Sequence, residues 1–247
     1  MRTPTIGFIY PDHAAEDDYP RAAALLGADL RVAHIYGTDL HAVPELLDLG
    51  SPGKLRHGAE LLVPYGPSAV VWACTSGSFV YGADGAREQV RGLAEVTGVA
   101  ASSTSFGFVN AARALGVGTV AVCASYPDEL AELFVDFLAC EGIRVVSMSS
   151  AGIDTAAEVG TLTPDRVRAL ALANDHRDAE ALLIPDTAMH TVEVLPELEA
   201  ALGKPVLTAN QVTIWEGIRL AGYPPGDEPV SPALGRLFSE RPTHAGH

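Results

Sequence analysis

Length, composition and charge exclude several classes of protein. Of the 247 residues, 48% are hydrophobic and 19% are charged, a balance that allows a substantial buried core and excludes a disordered chain. The 16 Lys and Arg residues against 31 Asp and Glu residues give a net charge of -15, which disfavours nucleic acid and anionic membrane surfaces as partners.

The cysteine content indicates where the protein works. Three cysteines without CxxC spacing, in a chain of this size, indicate reduced thiols and therefore a cytoplasmic protein. The apolar stretch near the N-terminus is too short for a signal sequence. No other stretch approaches the roughly 20 apolar residues that cross a bilayer. We therefore expect a soluble, cytoplasmic protein.

In chain order, short apolar runs alternate with longer segments of helical period. The runs are continuous, as in parallel strands that are covered on both faces. The predicted strands are residues 6–10, 30–35, 69–73, 117–123, 143–148, 181–184 and 205–207. The predicted helices are residues 53–62, 84–96, 105–114, 128–140, 163–174, 194–202 and 211–220. This alternation predicts an α/β fold with doubly wound parallel sheets.

The sequence also contains a weak internal repeat. The tripeptide Tyr-Pro-Asp begins at Tyr10 and again at Tyr126, each time after an apolar run. Cys74 and Asp186 also follow apolar runs, 64 positions after Tyr10 and 60 positions after Tyr126. The repeat predicts two pseudo-symmetric halves, although an ordinary turn would also explain the tripeptide. Because α/β proteins bind ligands at the carboxyl ends of strands, Cys74 and Asp186 are expected to confront each other across a cleft.

The same pattern predicts how the chain is divided between the halves. The first half is predicted to comprise residues 1–115, completed by residues 209–247, and the second half to comprise residues 116–208. The proline-rich segment after Gly222 is predicted to be an irregular tail that wraps the surface.

The motifs of common cofactors are missing. No GxxxxGK[ST] loop occurs, and the Gly116-Val117-Gly118 pair of glycines precedes a predicted strand instead of following one, so no dinucleotide site is indicated. The histidines are scattered, and His190, four residues after Asp186, is insufficient for a metal site. We expect neither a cofactor nor a metal ion.

The loop that begins at Cys74 combines a thiol with small polar residues, in the order Cys74-Thr75-Ser76-Gly77-Ser78. Successive N–H groups and hydroxyls at the end of a buried strand can cradle an anion such as a carboxylate. The same N–H groups are expected to lower the pKa of the thiol and make it reactive. The alternative is a buried structural cysteine, which is the interpretation we prefer for Cys123 and Cys140.

Asp186 and Tyr126 are the other candidates for chemistry. Burial in an apolar cleft would raise the pKa of the Asp186 carboxyl and suit it to proton transfer, whereas the alternative role is to cap a helix that begins near His190. The Tyr126 hydroxyl could donate to a substrate oxyanion, or the ring could simply pack at a strand end.

Several short motifs occur in a fixed order along the chain. They are Cys74-Thr75-Ser76, Ser125-Tyr126-Pro127-Asp128, Leu195-Pro196-Glu197-Leu198-Glu199, Leu202-Gly203-Lys204-Pro205-Val206, Ala209-Asn210-Gln211, Trp215 and Gly235-Arg236-Leu237-Phe238. In this order they resemble the aspartate/glutamate racemase superfamily, in the branch that holds maleate cis-trans isomerase and arylmalonate decarboxylase. The resemblance covers most of the chain. It implies two pseudo-symmetric α/β halves, no cofactor, and catalysis by two residues on opposite sides of a planar carbon intermediate.

The resemblance also implies roles for individual residues. Cys74 matches the first catalytic cysteine of the racemases and isomerases, a position where arylmalonate decarboxylase has glycine. Asp186 departs from the pattern, because these relatives usually have their second cysteine there, and this puts a two-thiol mechanism in doubt. Cys74 and Asp186 are the predicted catalytic residues. The predicted substrate-binding residues are Pro11, Thr75, Ser76, Tyr126, Thr187 and Asn210.

These observations predict a cofactor-independent isomerase or racemase of a small carboxylate or dicarboxylate. Either a Cys74 thiolate adds to an activated double bond while protonated Asp186 assists, or Asp186 abstracts a proton beside the carboxylate and Cys74 returns one from the other face. The alternatives are a cofactor-free decarboxylase of a substituted malonate and a carboxylate-binding protein without catalysis. A homo-oligomer is compatible with the sequence, which leaves the substrate and the oligomeric state open.

Overall fold

The structure is a computed structural model that describes residues 3–12, 14–224 and 226–239. The strands in this part of the chain are β1 (Thr5–Pro11), β2 (Asp29–Ile35), β3 (Ala69–Trp72), β4 (Ala100–Ser103), β5 (Thr119–Ala124), β6 (Arg144–Ser150), β7 (Ala181–Ile184) and β8 (Val206–Thr208). The α-helices are α1 (Asp18–Leu26), α2 (Val43–Leu49), α3 (Pro52–Leu62), α4 (Ser76–Phe79), α5 (Gly82–Thr97), α6 (Thr104–Ala114), α7 (Asp128–Cys140), α8 (Ala156–Gly160), α9 (Pro164–Ala173), α10 (Leu195–Leu202) and α11 (Ala209–Leu220).

The strands form two four-stranded parallel sheets with the same internal order. The first sheet has the order β2-β1-β3-β4 and the second has the order β6-β5-β7-β8. By position, β1 corresponds to β5 and β3 corresponds to β7. Helices alternate with the strands in both sheets, and the predicted α/β fold with two pseudo-symmetric halves is confirmed.

Helix α11 follows the second sheet in the chain but packs against the first. It contacts α6, β3 and β4, and its residues from Ala209 to Ile218 are all buried. A Cβ atom at Gly217 would lie 2.6 Å from Ile6 Cγ2 of β1, so glycine lets the helix approach the sheet closely. These contacts support the predicted completion of the first half by residues from 209 onward. The boundaries themselves stay predictions, and residues 240–247 lie outside the described part.

Each of the seven predicted strands corresponds to a strand in the structure, but β4 was not predicted. Its sequence, Ala-Ala-Ser-Ser, has no bulky apolar residue to mark it as a strand. Helices α1, α2, α4 and α8 were also not predicted. Among the described residues, no helix combines the length and the apolar character that spanning a bilayer requires.

One close contact positions the loop that contains Cys74. Gly50, just after α2, lies against Gly77 of α4, and the Gln89 side chain donates hydrogen bonds to the carbonyl oxygens of both glycines, at 2.8 Å and 2.9 Å. A Cβ atom at Gly50 would overlap the Gly77 carbonyl oxygen and lie 2.6 Å from Gln89 Nε2. Position 50 therefore has no room for a side chain.

We predict that Gly50→Ala lowers the free energy of unfolding by about 1–3 kcal/mol, the usual cost of overpacking a filled site. Gly53→Ala is the matched control, because a Cβ atom there would meet nothing within 4 Å and alanine favours the helix α3 that contains it. Urea denaturation of both variants tests this prediction. Equal stabilities would contradict it.

Candidate active site

A small pocket lies where strands of both sheets end. It is lined by residues at or just after the carboxyl ends of β1, β2, β3 and β7, together with residues of α2, α4 and α8. Its lining comprises Tyr10, Pro11, Asp12, Ala14, Thr38, Asp39, Leu40, His41, Leu46, Leu49, Cys74, Ser76, Ala156, Asp186, Thr187 and Ala188. Ligand sites in α/β proteins are expected at this edge of the sheets.

Cys74 reaches the pocket because it follows β3 by two residues. The Gly77 N–H donates a hydrogen bond to Cys74 Sγ at 3.3 Å, and Ser76 Oγ lies 3.7 Å from the same sulfur. The thiol is only 4% exposed. Burial raises the pKa of Cys74 to about 11, against the opposing effect of the Gly77 and Ser76 hydrogen bonds. The expected lowering of the thiol pKa is therefore wrong: the N–H and hydroxyl groups act in the predicted direction, but desolvation outweighs them.

Asp186 occupies the equivalent position after β7 and is 3% exposed. Its Oδ1 accepts a hydrogen bond from the Ala188 N–H at 2.8 Å, and its Oδ2 accepts one from the Ser125 hydroxyl. The alternative role as a helix cap near His190 is wrong, because the next helix begins at Leu195. The negative charge of Asp186, which lines the same pocket, also contributes to raising the pKa of Cys74.

The segment around Asp186 is held by hydrogen bonds to its carbonyl groups. Tyr126 Oη donates to the Pro185 carbonyl oxygen at 2.5 Å, and Tyr10 Oη donates to that of Thr187 at 2.7 Å. The two tyrosines of the sequence repeat therefore hold the carbonyl groups on either side of Asp186. Tyr10 comes from the first sheet, so this contact also joins the halves.

Asn210, at the start of α11, supports the same segment. Its Nδ2 lies 3.2 Å from the Thr187 carbonyl oxygen and 3.0 Å from a carboxylate oxygen of the buried Asp18. Asp18 also accepts the Thr191 N–H at 3.2 Å. Burial raises the pKa of Asp18 above its ordinary value, while the hydrogen bonds from Asn210 and Thr191 oppose that change.

The structure divides the predicted substrate-binding residues into two groups. Pro11, Ser76 and Thr187 line the pocket. Thr75, Tyr126 and Asn210 are buried and are not among the lining residues. The Thr75 hydroxyl forms no hydrogen bond of normal geometry with a described residue, although the Tyr126 phenol lies near it. The substrate-binding role of all six residues stays a prediction.

His41 is a pocket residue that the sequence did not reveal. Its Nε2 lies 3.8 Å from Asp186 Oδ2, and both side chains are about 5% exposed or less. Its Nδ1 lies 2.8 Å from the Ile153 carbonyl oxygen. His41 lies in the segment between β2 and α2, outside every motif, and its position relative to Asp186 depends on contacts between distant parts of the chain.

The carboxylate side chains in the pocket are not balanced by Lys or Arg side chains among its described lining residues. Asp12, Asp39 and Asp186 line it, and its described lining residues include no Lys or Arg. Within the described part of the chain, no group of three or more His, Cys, Asp and Glu residues could hold a metal ion. An anionic ligand would therefore have to be bound by hydroxyl and N–H donors.

The sequence profile of the arylmalonate decarboxylase family matches residues 7–238. This chain belongs to the arylmalonate decarboxylase family. A curated family relative, arylmalonate decarboxylase from Bordetella bronchiseptica, is 33% identical over 244 residues, which cover 96% of this chain and 98% of the relative.

Solved structures share the fold of this chain. A liganded arylmalonate decarboxylase variant, with one glycine changed to cysteine and one cysteine changed to serine, is 26% identical with a TM-score of 0.81, over 97% of this chain and 100% of that chain. Maleate cis-trans isomerase from Nocardia farcinica, a cysteine-to-serine variant with a covalently bound succinylcysteine intermediate, shares the fold at 22% identity. Its TM-score is 0.84 over 96% of this chain and 98% of that chain. The predicted resemblance to this branch of the racemase superfamily is confirmed.

The environment of Cys74 predicts an unusual reactivity profile for a cysteine in a ligand pocket. With a pKa of about 11, the thiolate fraction at neutral pH is about 1 in 10,000. We expect alkylation of Cys74 by iodoacetamide to be slow at neutral pH and to accelerate about tenfold per pH unit up to about pH 10. Mass spectrometry of the Cys74 peptide measures this rate.

Cys140 is exposed, so the expectation that it is a buried structural cysteine is wrong. It provides an internal control for reagent quality in the same samples. An alkylation rate of Cys74 that is already constant above neutral pH would show a thiol with a lowered pKa and would contradict the prediction.

Proposed function

We propose that this chain is a cofactor-independent racemase or isomerase that transfers protons at the carbon beside the carboxylate of a small substrate. Cys74 and Asp186 are the proposed catalytic residues. The observation that supports this most directly is that they follow the equivalent strands β3 and β7 and line one pocket. Two proton-transfer groups at symmetry-related positions suit a reaction on opposite faces of a planar intermediate.

The protonation state of the thiol supports one of the two mechanisms considered above. Because the pKa of Cys74 is about 11, the thiol is protonated at neutral pH and can act as a proton donor. Asp186 accepts hydrogen bonds through both carboxylate oxygens, as a proton-accepting group does. We therefore assign the base to Asp186 and the acid to Cys74: Asp186 removes the proton beside the carboxylate, and Cys74 delivers one to the opposite face.

The rest of the pocket suggests how the substrate is held. As the proton leaves, negative charge spreads into the substrate carboxylate, and preorganised donors lower the barrier by stabilising it. The Ser76 hydroxyl in the pocket and the unpartnered Thr75 hydroxyl behind it are the proposed donors. The apolar side chains of Leu40, Leu46 and Leu49 suit an apolar substituent on the same carbon.

A second candidate is the decarboxylation of a substituted malonate. The family match and the 33% identical arylmalonate decarboxylase favour this reaction. Loss of carbon dioxide leaves the same enediolate, which the Cys74 thiol could protonate on one face. The site supports racemisation better, because decarboxylation gives no role to Asp186 as a base.

The succinylcysteine of the Nocardia farcinica isomerase represents a third type of chemistry, in which sulfur forms a covalent bond to the substrate. That reaction requires a thiolate. The protonated thiol of Cys74 makes it the less favoured mechanism in this chain.

One experiment separates these possibilities. The protein is incubated in D2O with single enantiomers of 2-arylpropionates, with arylmalonates and with maleate, and NMR and chiral chromatography follow the products. Deuterium at the carbon beside the carboxylate, with formation of the other enantiomer, supports the proposal. Carbon dioxide from arylmalonates supports the second candidate, and fumarate from maleate supports thiolate addition. No reaction and no deuterium uptake would leave a carboxylate-binding protein.

Substitution of either catalytic residue is expected to remove most of the activity. General acid and base groups typically contribute about 100-fold to 10,000-fold to a rate, so Cys74→Ala and Asp186→Asn should each lower kcat by at least about 100-fold. Cys140→Ala is the matched control, since this cysteine is exposed and outside the pocket. Full turnover by Cys74→Ala would refute the assignment.

The pH profile of kcat should show whether Cys74 acts as thiol or thiolate. The thiol is the form present below its pKa of about 11, and it is lost as the pH rises through that value. If Cys74 is the acid, activity should not increase between about pH 8 and pH 10, because the thiol stays protonated throughout. A rise of about tenfold per pH unit over this range would instead show that the thiolate is the active form. Circular dichroism at each pH confirms that the protein remains folded.

A further inference from the structure

The His41 ring has a fixed orientation in the pocket. The backbone N–H of His41 donates to the Asp154 carbonyl oxygen at 2.8 Å, and the ring Nδ1 lies 2.8 Å from the Ile153 carbonyl oxygen. The ring also packs edge-on against the Tyr126 ring, with centroids 5.1 Å apart and planes at 88°. A residue of the first half is thus held by the backbone of the second.

This orientation determines which ring nitrogen carries the hydrogen. A carbonyl oxygen only accepts hydrogen bonds, so Nδ1 must be the donor to Ile153. In the neutral ring, Nε2 then has the free lone pair, and this atom faces Asp186 Oδ2 at 3.8 Å. Oδ2 already accepts the Ser125 hydroxyl.

A lone pair and a carboxylate oxygen that face each other in a buried site repel each other, so this pair favours the uptake of one proton that the two atoms can share. With one proton, the pair is either an imidazolium beside a carboxylate or an imidazole beside a carboxylic acid. Both forms are favourable, and they differ only in the atom that carries the proton. A small side-chain movement would shorten the 3.8 Å separation to hydrogen-bond distance.

We propose that His41 is the proton-carrying partner of Asp186. In the proposed reaction, on which this inference rests, the C–H bond of the substrate breaks and its proton passes to Asp186 Oδ2. The proton then moves to His41 Nε2, which restores the carboxylate, while Cys74 gives its S–H proton to the opposite face of the substrate. The resulting imidazolium and thiolate return to their neutral forms when the imidazolium proton passes through solvent to the sulfur. His41 acts through Asp186 and is a positioning residue.

Other titratable groups also face this part of the pocket. Asp39 lies two residues from His41, Asp12 follows β1 and Cys74 follows β3, and all of these line the pocket. Tyr126 contacts the ring, and burial raises the pKa of its phenol well above the ordinary value, so it stays neutral. Asp154 contributes its carbonyl group from the segment after β6. Among these groups, Asp186 is the one whose carboxylate the structure places opposite Nε2.

The first test is ¹⁵N NMR of the histidine side chains in the protein without substrate. His41→Asn assigns the signals, and Asp186→Asn removes the carboxylate. We expect the ¹⁵N chemical shifts to show a hydrogen on Nδ1. At one fixed neutral pH, the Nε2 signal should move in Asp186→Asn while the Nδ1 signal does not, because only Nε2 faces the carboxylate. Asp186→Cys provides a second variant if Asp186→Asn does not fold. An unchanged Nε2 signal would overturn the proposal.

The second test measures the fate of the abstracted proton in D2O. With His41 present, the proton on Asp186 exchanges with solvent, and recovered substrate gains deuterium at a rate similar to turnover. In His41→Asn, the amide can still donate to the Ile153 carbonyl oxygen but Nε2 is missing. We expect the ratio of exchange to turnover to fall at least about tenfold, because the proton returns from Asp186 to the substrate. His57→Asn, on the exposed side of α3, is the control.

The two tests separate the possible failures. An unchanged exchange-to-turnover ratio in His41→Asn would overturn the proton-carrying role even if kcat falls, because a merely structural role lowers exchange and turnover together. If the unaltered protein neither turns over nor exchanges any carboxylate, the proposed function fails, and the Nε2 signal still shows whether His41 and Asp186 interact.

Discussion

The Thr187 carbonyl oxygen is the point on which the geometry of the pocket depends. It accepts hydrogen bonds from Tyr10 of β1 and from Asn210 of α11, while Tyr126 of the second half holds the carbonyl group before Asp186. Because the carbonyl groups on both sides of Asp186 are held, the position of its carboxylate depends on the docking of the two halves. Tyr126 and Asn210, which the sequence predicted to bind substrate, thus also support one catalytic candidate.

The second constraint is the low polarity around Cys74. A strand end with free N–H groups usually favours a thiolate, and the hydrogen bond from Gly77 acts in that direction. Burial and the nearby carboxylate of Asp186 outweigh it, so the sulfur keeps its proton. A pocket with three aspartates and no described Lys or Arg is therefore better suited to moving protons than to generating a strong nucleophile.

Much of this arrangement could be predicted from local sequence, because buried parallel strands are continuous apolar runs and their ends carry the polar residues. Cys74 and Asp186 were found in this way. Strand β4 was missed because Ala and Ser carry little β-strand signal. His41 was missed for a different reason: its partner carbonyl at Ile153 is 112 positions away, and no local pattern encodes such a contact. The pKa of Cys74 required knowledge of burial, which the motif alone does not supply.

The two halves share a topology but end in chemically different groups, a thiol on one side and a carboxylate on the other. Enantiomers have equal free energies, so a racemase must show the same kcat/KM in both directions whatever groups it uses. The separate values of kcat and KM have no such restriction. When the acids on the two faces differ in strength, the two protonation forms of the free enzyme differ in stability. Each of these forms reacts with one of the two enantiomers. The duplicated fold therefore places two different candidate groups at equivalent positions, and in the proposed racemase this difference allows the two enantiomers to differ in kcat and in KM.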